Sequence, residues 1–238
     1  MTSSSPVPKI RGAVILAAGR ASRLHSPIPK ALVPVGDEPL VGRLCRQLIE
    51  RGLEVVVVTG HRAEELEAAL ARPGVRFAHN ELYAESELGW SCGVGLAAAA
   101  THIGGEGALV ALGDTVAEDA LFDRLLASEG ALNLAWLDIP VDEEAMKLRI
   151  EGGRPVLMGK GLTPPVAGEF SGVLTARGAG LSALRAGIAA RDPRVDLCLG
   201  ALNELLVSGL DCRAVDCSGL DWIEIDFPDD VRRMREIF

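Results

Sequence analysis

A chain of 238 residues, 48% hydrophobic and 24% charged, can bury one large core, and its mean hydropathy of +0.24 excludes a disordered or fibrous chain, which lacks the apolar area to offset ordering entropy. The formal charge of −9 and pI near 5.0 argue against nucleic acid or an anionic membrane as partner, since either calls for a broad basic surface. Five cysteines, none in a C-x-x-C pair, imply reduced thiols and a cytoplasmic location, and no window approaches the roughly 20 apolar residues of a membrane span.

Residues 1–9 read as a polar, flexible tail ahead of one domain over 10–238. "GAVILAAG" (12–19) is a continuous apolar run ending in glycine, which suits a strand buried on both faces. "PLVGRLCRQLIERG" (39–52) carries Leu40, Leu44, Cys45 and Leu48 at helical spacing, with Pro39 near its start and Gly52 beyond its end. "EVVVVTG" (54–60) predicts a second strand and "RAEELEAALA" (62–71) a second helix. "GLAAAATHI" (95–103) predicts a third helix and "GALVALGDT" (107–115) a third buried strand ending in Gly-Asp. Alternating strands and helices imply parallel pairing through right-handed crossovers, with ligands at the carboxyl ends of the strands. Residues 19–30, 59–62 and Asp114 should therefore share one rim. Beyond residue 130 the pattern loosens: "ALNLAWLDI" predicts a strand, "MKLRIEGGRPVLMGK" a hairpin around Gly152-Gly153, and 181–209 a helical stretch. A strand through Ile225 and a last helix from Pro228 follow.

The first strand-to-helix connection, "LAAGRASRLHSPIPKALVPVG" (16–36), concentrates positive charge in an acidic chain. Gly19 frees backbone N–H groups, and Arg20, Arg23 and Lys30 can add charge-assisted hydrogen bonds to phosphate oxygens, a combination suited to a triphosphate. Neither G-x-x-x-x-G-K-[ST] nor G-x-G-x-x-G is present.

The segment "LAAGRASRL…PKALVPVGDEPL" closely resembles the signature of the nucleotidyltransferase superfamily, L-A-A-G-x-G-[ST]-R-[LFM] followed by P-K, with Ala21 in place of its second glycine. The resemblance implies a single-domain α/β fold, a Rossmann-like three-layer sandwich with a mostly parallel mixed central sheet. It also implies transfer of a nucleotidyl group from an NTP to a small phosphorylated molecule. Leu16, Ala17, Ala18, Gly19 and Arg20 would line the nucleotide, while Arg23 and Lys30 would bind phosphates as catalytic residues. Asp114 in "LGDT" and Asp226 in "WIEIDFPDDVRR" match the aspartates that hold a magnesium ion, Asp114 thereby counting as catalytic. Mg²⁺ suits hard oxygen ligands and in-line displacement at phosphorus. Phe227 stands where a hydroxyl cap is usual, so the last helix should lack that cap.

Three stretches narrow the resemblance to the small cytidylyltransferases of phosphocholine, 2-aminoethylphosphonate and inositol 1-phosphate, making CTP the expected nucleotide and a small phosphate or phosphonate the acceptor. "HNELYAESELGWS" resembles the phosphocholine enzymes and implies nucleotide contacts from Asn80 and Ser91. "EEAMKLRIEGGRPVLMGKGL" and "DWIEIDFPDDVRR" resemble the inositol-phosphate enzymes. On the acceptor side, Glu224 would attract an ammonium group, Lys147 would hold the acceptor phosphate, and Glu169 would bind a hydroxyl. Other NTPs, sugar 1-phosphate or molybdopterin acceptors, and a non-catalytic nucleotide-sensing role stay open, and the apolar content permits a homodimer. None of the four histidines is assigned to catalysis, because an ionised phosphate oxygen needs no general base.

Overall fold

The computed structural model describes residues 7–195 and 198–238, so residues 1–6 of the predicted tail lie outside the described residues. Its elements are β1 (Gly12–Leu16), β2 (Pro34–Val35), β3 (Glu38–Pro39), α1 (Leu40–Glu50), β4 (Glu54–Thr59), α2 (Ala63–Leu70), β5 (Val75–His79) and α3 (Leu88–His102). Then come β6 (Gly107–Leu112), β7 (Thr115–Ala117), α4 (Asp119–Ala127), β8 (Leu132–Leu137), β9 (Lys147–Glu151), β10 (Arg154–Gly159) and β11 (Gly168–Arg177). The chain finishes with α5 (Ala179–Ala189), α6 (Leu199–Val207), β12 (Cys212–Asp216), β13 (Trp222–Glu224) and α7 (Pro228–Ile237). Two short 3₁₀ turns, Ser22–Leu24 and Lys30–Leu32, lie in the loop after β1.

A nine-stranded sheet runs β10-β9-β11-β6-β1-β4-β5, with β8 on β11 and β12 on β8. Strands β6, β1, β4 and β5 are parallel to one another, whereas β11 is antiparallel to β6 and β8, so the sheet is mixed around a parallel core. The period-two alternation of β1, β4 and β6 divides their side chains between two cores. Ala13, Ile15, Val55, Val57, Leu109 and Ala111 pack with α1, α2, α4 and α7 on one face. Val14, Val56, Val58, Ala108 and Val110 pack with α3, α5 and α6 on the other, completing a three-layer α/β sandwich.

The expected βαβα order holds through residue 71, and the hairpin turns at Gly152-Gly153 as expected. Helix α3 begins at Leu88, seven residues earlier than expected. Its glycines disguise it because they serve packing: a Cβ on Gly95 would collide with Val14 and Val58 on the sheet. The helical stretch 181–209 divides into α5 and α6. Strands β5, β11 and β12 were not expected, although β11 joins the parallel core to the antiparallel edge. Ser171 and Gly172, at the register shift between Phe170 and Leu174, interrupt its apolar pattern, and Gly172 takes a φ of 78°. All five cysteines are free and buried, and among the described residues no helix is long and apolar enough to cross a membrane.

The order β6-β1-β4 places the switch in strand direction of travel at β1, since the chain moves to β4 on one side and later to β6 on the other. The loops leaving β1, β4 and β6 are stitched together there by Ala17 N–H to Val58 O, His61 N–H to Ala18 O and Gly113 N–H to Leu16 O. Parallel sheets open a ligand crevice at such a point.

Candidate active site

A cleft of about 390 Å³ lies on this rim, lined by residues 16–23, Pro29, Lys30, Ala31, His61, Tyr83, Ser86, Glu87, Leu88, Ser91, Gly113, Asp114 and Asp226. Residues 16–19, Arg20, Arg23, Lys30, Ser91, Asp114 and Asp226, all anticipated, meet here. Asn80 does not reach the surface: it is 1% exposed and acts behind the wall, through hydrogen bonds to Ser86 and Ser91. The expectation that Asn80 itself touches a nucleotide is corrected on this ground.

Asp114 and Asp226 lie 112 residues apart in sequence, and a small second sheet joins them. β13 pairs antiparallel with β7, setting Glu224 opposite Thr115, and Ile225 N–H donates to Asp114 O at 3.0 Å. Carboxylate oxygens from Asp114, Glu224 and Asp226 thereby come within 4.8 Å of one another. The strand ends at Glu224, and Asp226 occupies the turn into α7. There Phe227 offers no capping side chain, but Asp230 Oδ2 accepts from the N–H groups of Asp226 and Phe227 at 3.0 and 2.7 Å. The missing hydroxyl cap is thus replaced from inside the helix, which also anchors the backbone of Asp226.

The basic loop folds onto these acids. Lys30 Nζ donates to Asp114 Oδ2 and to Asp226 Oδ1, each at 2.7 Å. Burial works against the Lys30 charge, yet the two carboxylates outweigh it and hold the ammonium pKa above its ordinary value. Arg23 donates to Asp226 Oδ2 at 2.6 Å and approaches Glu144 at 3.5 Å, and its guanidinium lies 5.3 Å from the centroid of the Phe227 ring. Within the loop Ala21 is left-handed, with φ 48° and ψ 44°, a conformation favouring glycine. By contrast, a Cβ on Gly19 would meet nothing within 4 Å, so Gly19 is open to the cleft rather than packed.

Burial, followed by the charges of Asp114 and Asp226, pushes the Glu224 carboxyl up to about 8. The Glu224 carboxyl belongs with Asp114 and Asp226 rather than standing alone as an ammonium site. Next to it comes Glu169, itself raised by burial and by Asp142, against the backbone N–H hydrogen bond and the charges of Lys147 and Lys160. Lys147 faces Glu169 across β9 and β11; it is 8% exposed and donates to Lys160 O at 2.5 Å. Lys147, Glu169 and Glu224 do not line the cleft; they form an adjoining group beyond Asp226. The four histidines hold no position among these acids: His61 borders the cleft beside Tyr83, ring centroids 6.1 Å apart.

The cluster fits a hard divalent cation. Asp114 Oδ1 is buried and without a hydrogen-bond partner among the described residues, while three carboxylates converge, the all-oxygen donor set that Mg²⁺ takes.

Residues 13–186 match the family described as MobA-like NTP transferase domain. A bifunctional IPC transferase and DIPP synthase from Rubrobacter xylanophilus is 34% identical over 95% of this chain, which spans about half (51%) of that relative's length. The bifunctional protein GlmU of Stutzerimonas stutzeri is 35% identical over 55% of this chain and 28% of its own length. The inositol-1-phosphate CTP transferase from T. maritima superposes with a TM-score of 0.75, covering 96% of both chains at 20% identity, which supports the fold. The chain belongs to the MobA-like NTP transferase domain family.

Proposed function

We propose that this protein is a Mg²⁺-dependent cytidylyltransferase that joins CTP to a small phosphomonoester of the inositol-phosphate type and releases pyrophosphate. The observation that carries the proposal is the meeting of Asp114, Glu224 and Asp226 beside Lys30 and Arg23 at the carboxyl rim. Arg23 and Lys30 are already paired with Asp226 and Asp114, so a polyanionic triphosphate needs further positive charge. Asp114, Glu224 and Asp226 would hold magnesium, which supplies charge neutralisation and Lewis-acid activation at phosphorus. Arg23 and Lys30 supply donors for phosphate oxygens and for the charge that develops on the leaving pyrophosphate. Residues 16–20 would cradle the nucleotide. The acceptor's phosphate oxygen is already ionised, so positioning takes the place of a general base.

The acceptor preference draws support from the full-length similarity to a protein named for IPC transfer and from the chemistry beyond Asp226. Glu169 offers a carboxyl group to a polyol hydroxyl, and Lys147 and Lys160 beside it add positive charge for a phosphate. The test is pyrophosphate release with each of four NTPs against inositol 1-phosphate, phosphocholine, 2-aminoethylphosphonate and glucose 1-phosphate. Release with CTP and inositol 1-phosphate, reduced about 100-fold or more in Asp114→Ala, is expected. Turnover with another NTP would overturn the cytidylyl assignment, and turnover with another acceptor would overturn the inositol one.

A further inference from the structure

Next to Asp226 the chain carries an aromatic ring that neither the last helix nor the core requires. Phe227 holds the N-cap position of α7, where its own N–H donates to Asp230 Oδ2 at 2.7 Å, so the helix start does not depend on its side chain. The residue is 43% exposed and belongs to neither of the two cores. Leaving a large apolar ring in water forfeits the stabilisation that burial would give. The guanidinium of Arg23 lies over this ring, 5.3 Å from its centroid, within the roughly 6 Å over which a cation is attracted to an aromatic face.

Arg23 has use for such a support. It stands in the 3₁₀ turn Ser22–Leu24, between left-handed Ala21 and His25, and the buried Leu24 anchors the backbone there. The Arg23 side chain itself is 49% exposed, and its two carboxylate neighbours are both shared. Asp226 also accepts from Lys30 and belongs to the three-carboxylate cluster, and Glu144 also pairs with Lys160 at 3.1 Å. A cation that joined the cluster would compete with Arg23 for Asp226. An aromatic face differs from a carboxylate, because it attracts the guanidinium without neutralising its charge or occupying its N–H donors. A guanidinium stacked in this way keeps its fork for phosphate oxygens.

We infer that Phe227 is a positioning residue for phosphate binding: its ring holds the Arg23 guanidinium at the wall of the cleft, charged and with its donors unspent, independently of Asp226. A polyanion then meets an arginine already restricted in its rotamers, and the ordering that binding would otherwise impose is made beforehand in the folded chain. The same arrangement gives a reason for phenylalanine where the resemblance implied a hydroxyl cap. Asp230 holds the backbone of the turn, which leaves the side chain at 227 to Arg23. The inference rests on reading the cleft as a triphosphate site.

Calorimetric titration with CTP and with inorganic pyrophosphate, each with Mg²⁺, tests it, with the urea unfolding midpoint as the measure of stability. Phe227→Leu keeps apolar bulk and removes the ring; it should weaken both ligands about 2- to 5-fold and leave the midpoint unchanged. Phe227→Trp offers the better face for a cation and should match or exceed wild-type affinity. Phe227→Thr supplies a capping hydroxyl, so it should hold or raise the midpoint while weakening both ligands as leucine does, a split that a purely structural role would not produce. In an Arg23→Gln background, Phe227→Leu should cost no further affinity. Wild-type affinity in Phe227→Leu, a loss in Phe227→Trp equal to that in Phe227→Leu, or the same loss with and without Arg23 would each overturn the inference. A wild type that binds neither ligand would overturn the triphosphate reading and this inference with it, whereas binding that ignores every substitution of Phe227 would overturn this inference alone.

Discussion

Lys30 is the hinge of the site's electrostatics. It is the group common to Asp114 and Asp226, and removing its ammonium leaves two half-buried carboxylates facing each other beside Glu224. Lys30→Met should destabilise the metal-free protein by about 1–3 kcal/mol, and Mg²⁺ should restore part of the loss by replacing the missing charge. Thermal denaturation in EDTA and in Mg²⁺ distinguishes this from a packing defect, which would give the same deficit in both. Ala21 poses the opposite case. A left-handed alanine costs about 1–2 kcal/mol against a right-handed one, so Ala21→Gly should stabilise the protein by about 0.5 kcal/mol after the extra freedom of glycine in the unfolded chain is subtracted. Denaturant titration reads the sign; a loss of stability would mean that the methyl group has a packing role. The basic loop and Asp114 are legible as chemistry in the linear sequence, because charge and glycine cluster at a strand end. Ser86 is not, since a lone serine acquires meaning only through the Asn80 amide that orients it.

Helix α3 shows how an element can be hidden by the residues that make it fit. Gly89, Gly93 and Gly95 lower helix propensity, yet Gly95 lets the helix approach β1 and β4, and Gly93 sits against Ile188 of α5. Gly95→Ala should destabilise the protein by about 1–2 kcal/mol, because overpacking against Val14 and Val58 exceeds the gain in propensity. The urea midpoint tests this, and an increase would show that the helix can move outward. Ser91 projects from the first turns of the same helix and lines the cleft, so a shift of α3 would also move a wall of the cleft. β1, β4 and β6 were readable because continuous burial demands continuous apolar residues. β11 is also buried, but Ser171 and Gly172 at its register shift, with Thr175 further along the strand, interrupt the run. Thr175 Oγ1 accepts from Asn133 Nδ2, and Ser171 Oγ accepts from the N–H of Val173 two residues on. Polar side chains are admissible in that strand because each finds a hydrogen-bond partner, for Thr175 one far away in sequence.

Across the molecule, two cores on opposite faces of one sheet hold a rim that must be completed by residues from both ends of the chain. If CTP and Mg²⁺ bind this completed rim and not the unfolded chain, saturation at about 100 times Kd contributes about 2.7 kcal/mol. For a chain of this size that raises Tm by roughly 5–10 °C. EDTA should remove most of the shift, and an undiminished shift in EDTA would count against the three-carboxylate site. Apolar runs, helical spacing and a charged glycine loop suffice to announce a parallel α/β core and a phosphate-directed rim, because these depend on local order along the chain and on burial common to all such folds. The convergence of Asp114 with Glu224 and Asp226, the withdrawal of Asn80 behind the serines, and the separation of Lys147 from the cleft arise from pairings between distant segments. β13 must find β7, and α3 must settle against β1 and β4, before those side chains acquire their neighbours, and the free energy of such long-range contacts is recorded in no single stretch of residues.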